Sequence, residues 1–234
     1  EILKSNILKF LKGKFVISKE LIRGFLLTDL NNNAIMIDYK ICDPTNPFKY
    51  NEYTKEQNSL MFKYNSCYRF LIDEEKDFEE FKVIYLHIQN SDFNEDAIKQ
   101  SGTNRELKEI DPTLPEAYFE SAFIDCYGRE SLSKIKREFP IIDFEAQTRW
   151  VDYLIKHKNY NIAIEKNGES YHHPIITGKT KYKSQLHKQN SLVAYGFTVF
   201  RWSLDAMKTT DNFYDEVKKY IGNLEDLQDI QKLS

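Results

Sequence analysis

Several features are scarce in this sequence, and each scarcity removes a class of protein. There are only three cysteines, Cys42, Cys67 and Cys126, spaced far apart and without the close pairs of a zinc site. They read as reduced thiols of a cytoplasmic protein, in or near a core. No apolar run approaches the length that spans a bilayer, and the N-terminus has no signal-peptide pattern, so no membrane partner is expected. Internal repeats and low-complexity tracts are also absent. The chain begins at Glu1 without Met, which reads as a piece of a longer polypeptide whose other domains are candidate partners.

What is present is globular composition. The 234 residues are 41% hydrophobic and 29% charged, enough for one large domain or two small ones with a real core. The aromatic residues Tyr118, Phe119, Phe123, Tyr153, Phe197 and Phe200 are most simply read as core. A net charge of −3 argues mildly against a nucleic-acid partner, but the charge is unevenly distributed. Thr148 to Arg201 holds nine Lys and Arg against three acids, Asp152, Glu165 and Glu169. A basic segment whose few carboxylates are candidate metal ligands suits a phosphodiester-cleaving site. A solvated charged face is the competing reading.

The patterning divides the chain into an α+β region over residues 1–100, an α/β region over 111–222 and a tail over 223–234. In the first region residues 1–12 predict an amphipathic helix, and Arg23–Leu30 and Ala34–Ile41 predict strands joined by the Asn31-Asn32-Asn33 turn. Tyr68–Ile72 and Lys82–Ile88 read as further strands around an acidic helical stretch, and the polar run Gln89–Glu109 as a linker. In the second region the prolines at Pro112 and Pro115 open a helix reaching about Tyr127, closed by Gly128. Ser131–Glu138 reads as a second helix. Arg149–Ile155 and Ile162–Lys166 predict a strand hairpin, Lys181–Tyr195 a helix stopped by Gly196, Phe197–Trp202 a strand and Asp211–Ile221 a closing helix. Strand, helix and strand from residue 162 to 202 have the length of a βαβ unit, so the two strands are expected to be parallel.

Side-chain alternation along Ile162–Gly168 puts Ala163, Glu165 and Asn167 on one face and Ile162, Ile164 and Lys166 on the other. A carboxylate at the end of an apolar strand, followed by Gly168, is poorly explained by packing. Asp152 lies on the preceding strand, where a hairpin could bring the two acids together. Two carboxylates with water and phosphate oxygens suit Mg²⁺, with Mn²⁺ as a substitute. Such an ion polarises a phosphoryl oxygen and lowers the pKa of bound water.

The run PEAYFE on a helix, VDY with Asp152 on a strand, then AIEKNGESYHHP, HKQNSLVAYG and FTVFRW resembles the very-short-patch-repair-like endonucleases of the PD-(D/E)XK superfamily. The resemblance covers Pro115 to Trp202. It implies a restriction-endonuclease-like central sheet flanked by helices, and a Mg²⁺-dependent DNA endonuclease that hydrolyses phosphodiester bonds. It also implies that this is a domain of a larger DNA-processing, helicase-linked or defence and restriction protein. It further implies Asp152 and Glu165 as metal ligands, His172 or His173 as an assisting group, Lys188 as the helical basic residue and one acid of the first helix, Glu116 or Glu120, near the ion, with Glu120 favoured. The superfamily's lysine two positions after the second acid is replaced here by Asn167, and Lys188 is the candidate to supply that charge. The alternative is a nuclease-like fold that binds nucleic acid without cutting it.

For phosphate contacts the sequence offers Lys179, Lys181 and Lys183 at the head of the Lys188 helix, together with His187. Arg149 and Arg201 flank the strands. Contacts of this kind give affinity without base selectivity and weaken with salt. Both arginines have salt-bridged structural roles as an equal alternative.

Overall fold

Two five-residue turns, each opened by an aspartate, show how local chemistry joins neighbouring strands in each sheet. In the first, Asp29 Oδ1 accepts the N–H groups of Asn31 and Asn33 at 2.9 and 2.8 Å, and Asn32 sits at φ 62, a region asparagine tolerates. In the second, Asp143 Oδ1 accepts the N–H groups of Glu145 and Gln147 at 2.9 and 3.0 Å, and Ala146 takes φ 58. The computed structural model describes residues 2–21, 24–38, 50–64, 66–70, 74–90, 115–167, 179–208 and 210–230.

Helix α1 (Ile2–Leu11) buries Leu3, Ile7 and Leu11, one stripe at helical spacing. It precedes β1 (Phe15–Leu21), β2 (Gly24–Asp29) and β3 (Ala34–Asp38), an antiparallel meander. Helix α2 (Tyr50–Lys63) then leads to β4 (Cys67–Arg69), which pairs parallel with β3. Helix α3 (Glu74–Asn90) follows, and Phe10 of α1 meets its Phe78, Phe81 and Tyr85 edge-on. The expected strand at Lys82–Ile88 is therefore helical. Its apolar residues are not alternating but spaced for a helix: Phe81, Ile84 and Tyr85 are buried while Val83 and Leu86 are exposed.

The second sheet begins after α4 (Pro115–Tyr127) and a 3₁₀ segment (Arg129–Lys134). Strands β5 (Ile135–Ile142), β6 (Thr148–His157) and β7 (Asn161–Asn167) are antiparallel neighbours. Helix α5 (Lys179–Ala194) then crosses to β8 (Phe197–Ser203), which runs parallel to β7 as expected. The helix expected at Ser131–Glu138 is instead the 3₁₀ segment and the start of β5. Pro140 sits within β5, so the cross-strand partners of Phe139 and Ile141, both buried, outweigh the breaker signal. Helices α6 (Leu204–Lys208) and α7 (Thr210–Ile221) follow. The C-terminal segment adds a short strand, β9 (Leu227–Gln228), which pairs with β6 at Lys156 and His157. The architecture is α/β, with two mixed sheets flanked by helices.

The faces of the second sheet are distinct. Tyr153, Ile164 and Phe200 form a row towards α4 and α7, where the Phe119 ring lies tilted against Tyr153 (4.7 Å between centroids) and Tyr220 against Phe200 (5.0 Å). The opposite face lies under α5. Buried residues of both sheets belong to one continuous core. Among the described residues no helix is long and apolar enough to cross a membrane.

Candidate functional site

The antiparallel register of β6 and β7 runs to Tyr153–Ile164, and one step further brings Asp152 opposite Glu165. The parallel register of β7 and β8 sets Glu165 beside Arg201. Asp152, Glu165 and Arg201 thus form a row on the α5 face, since strand side chains alternate and their neighbours Tyr153 and Ile164 face the other way. The main-chain ladder gives way here to a side chain: Asp152 Oδ2 accepts the N–H of Lys166 at 2.7 Å. On the far side of Asp152 stands Glu138 of β5, between the pairs Arg137–Tyr153 and Phe139–Val151. It is a non-glycine residue at φ 46.

Lys188 of α5 closes the site from above. Its Nζ donates to Glu165 Oε2 at 2.5 Å and to the Trp150 carbonyl at 2.9 Å. Glu165 is 3% exposed, and its other oxygen, Oε1, has no hydrogen-bond partner among the described residues. An orphaned carboxylate oxygen at this depth is costly unless something binds it. Arg201 is 4% exposed. Its one described side-chain bond is a long one, 3.4 Å from a terminal nitrogen to the Gln185 carbonyl, and its Nε has no acceptor among the described residues. Burial, then the neighbouring Glu165 carboxylate, pushes Asp152 up to about 6, while Lys166 and Lys188 oppose the rise.

The remaining expected site residues are dispersed. Glu120 lies on the other face of the sheet, bound by the guanidinium fork of Arg137 and accepting the Tyr153 hydroxyl at 2.9 Å. Glu116 is on that face too, paired with Lys166, whose ammonium also sits over the Tyr153 ring at 5.6 Å. Neither acid of α4 therefore joins the Asp152–Glu165 row; the helix packs on the side that alternation assigns to Tyr153. Arg149 is held by Asp143 at 2.6 Å, the structural alternative for that arginine. Lys183 is turned towards Asp77 of α3, at 3.7 Å. Asn167 closes β7 in register with Ser203, but its side chain, like those of Lys179 and Lys181, lies outside the described residues, as do His172 and His173.

A second group was not foreseen as a site. Asp143, Glu145 and His187 bring ligand atoms within 4.8 Å of one another, close enough to share an ion. The only sequence signal was the pair Asp143 and Glu145 two positions apart, and nothing linked it to His187 on α5. Asp143 is already committed: one oxygen takes two turn N–H groups and the other takes Arg149, and these bonds hold its pKa below the usual range against burial. His187 Nδ1 faces Glu80 at 3.4 Å, and that hydrogen bond raises its pKa against desolvation. Of the two groups, only the Asp152–Glu165 row presents an uncommitted buried carboxylate oxygen.

The donor chemistry of that row fits a hard divalent cation. Its ligands are carboxylate oxygens, with no cysteine and no described histidine beside them. Comparison with known proteins adds nothing to this picture: no family model, curated protein or solved structure matches the chain.

Proposed function

We propose that the second half of the chain is a restriction-endonuclease-like domain of the PD-(D/E)XK kind, a Mg²⁺-dependent deoxyribonuclease with Asp152 and Glu165 as its metal ligands. The observation that carries this reading is the buried Glu165 carboxylate, on the strand paired with that of Asp152, with one oxygen bound to Lys188 and the other without a partner among the described residues. A bound divalent ion would supply Lewis-acid polarisation of a phosphoryl oxygen and an activated water. The chain's own residues do the rest. Asp152 and Glu165 fix the ion's place, one on each strand of a hairpin. Lys188, hydrogen-bonded to Glu165, would donate to a phosphoryl oxygen as negative charge accumulates there and supply the charge of the lysine that Asn167 replaces.

Charge balance supports a phosphate rather than a neutral substrate. Without an ion the two carboxylates are offset by Lys188 and Arg201. A divalent cation leaves the cluster with excess positive charge, which an anionic phosphodiester offsets in part. Arg149 and Lys183 are engaged elsewhere, so Lys188 and Arg201 are the described cations nearest such an anion.

The test is nicking of supercoiled plasmid with Mg²⁺ or Mn²⁺. We expect cleavage in the wild type and none in Asp152→Ala or Glu165→Ala. Salt-sensitive DNA binding without cleavage under either metal would instead assign a nuclease-like fold that only binds nucleic acid.

A further inference from the structure

The first-sheet region reaches into the acidic row through two consecutive residues of α2. Strand β8 is the edge of the second sheet, so one side of its backbone has no strand partner among the described residues. Asn58 supplies one. Its Nδ2 donates to the Arg201 carbonyl at 2.7 Å, and its Oδ1 accepts the Arg201 N–H at 2.8 Å. A single side-chain amide thus makes both bonds of a missing strand, at the residue in register with Glu165.

The residue before it holds the other wall of the site. Gln57 Nε2 donates to Gln189 Oε1 at 3.1 Å, and Gln189 adjoins Lys188 on α5. Gln57 is fixed in turn by Arg69, which is paired with Asp38 at 2.9 Å. The bracket is reciprocal. Asn190 of α5 makes the same two bonds with the backbone of Arg69 in β4, the edge of the first sheet, at 2.9 and 2.8 Å. Asn58 and Asn190 are both 0% exposed, so water offers neither backbone segment a substitute partner.

We propose that Asn58 is a positioning residue of the Asp152–Glu165 site, fixing β8 at Arg201 and, through the β7–β8 ladder, the direction in which Glu165 is presented. This rests on the metal-site reading above. It assigns the N-terminal region a part in the site that the PD-(D/E)XK resemblance, confined to Pro115–Trp202, does not contain.

The test is Mn²⁺ binding to the folded protein, measured by titration calorimetry alongside thermal unfolding. Asn58→Ala is compared with Leu27→Ala, a buried-core truncation on β2, two strands away from the β4 edge that meets α5. Both variants are expected to melt at lower temperature. Only Asn58→Ala is expected to weaken Mn²⁺ binding, by about tenfold or more, and to speed amide exchange at Glu165 and Arg201. If Asn58→Ala does not fold, Asn58→Asp replaces it. This isosteric change keeps an acceptor for the Arg201 N–H and loses the donor to its carbonyl, and the same selective loss of affinity is expected. Equal Mn²⁺ affinity in the Asn58 and Leu27 variants overturns the proposal and leaves the metal site standing. Wild-type binding that is absent, or unchanged in Asp152→Ala, overturns both.

Discussion

Asp152→Asn offers the sharpest check on the physics of the site, because it should stabilise the metal-free protein. Burial and the Glu165 charge raise the Asp152 pKa from 3.8 to about 6, so the folded state holds this proton more tightly than the unfolded chain does. The resulting stabilisation is complete below the unfolded value and is lost as pH rises through about 6. A rise of about two pH units is worth ~3 kcal/mol at ~1.4 kcal/mol per unit. The side chain is only half-buried and keeps part of its hydration, so ~1–3 kcal/mol is the working range. Asparagine cannot ionise, can still accept the Lys166 N–H and brings an amide donor towards the orphaned Glu165 oxygen. At pH 8 without metal, Asp152→Asn is expected to unfold roughly 3–10 °C above the wild type, at about 2–4 °C per kcal/mol for a chain of this size. At pH 4.5, where the folded carboxyl is protonated, the gap should narrow, and it should close only below 3.8, where the unfolded chain's carboxyl is protonated too. Added Mn²⁺ should reverse the order, stabilising the wild type by ~4.1 kcal/mol at about a thousand times its dissociation constant and leaving the variant unmoved. Thermal melts followed by circular dichroism at the two pH values read all of this. A variant less stable than wild type at pH 8, or a difference that ignores pH, would refute the reasoning.

Lys188→Ala leaves the buried Glu165 carboxylate without its cation and should cost about 3 kcal/mol in urea unfolding at pH 8. Adding Glu165→Gln to that variant should recover most of the loss, a coupling that a double-mutant cycle measures. Asp143→Ala removes two turn bonds and the Arg149 partner, and a loss of ~2–4 kcal/mol is expected. Its Mn²⁺ affinity should match the wild type; if affinity falls in Asp143→Ala and not in Asp152→Ala, the ion belongs to the Asp143–Glu145–His187 group.

The Asp152–Glu165 hairpin, the α5 crossover and the parallel β8 were legible because each rests on local periodicity and connection length. Gly196, at φ 84, ends α5 where the pattern placed it. The Asn31–Asn33 turn was equally readable, since side-chain-to-backbone bonds form within four residues. Elements decided by distant partners were not. The segment from Lys82 to Ile88 differs from these: its apolar content suits a strand, but the spacing of its buried residues is that of a helix. Strand β5 was hidden because Pro140 and the preceding Ser131–Glu138 run favour a helix that stops, while pairing with β6 makes the strand.

The candidate site divides along the same line. Strand parity alone put Glu165 and Lys166 on opposite faces, and the structure keeps them there: Glu165 meets Lys188, and Lys166 meets Glu116. The sequence by itself determined which residues share a strand face, because alternation is a property of the extended backbone. Only the tertiary structure decided which helix covers each face. It set Glu120 against Arg137 rather than the acid pair, paired Arg149 with Asp143, and placed Asn58 from residue-distant α2 on the β8 edge. Those choices depend on contacts between segments far apart in the chain, which no local pattern encodes.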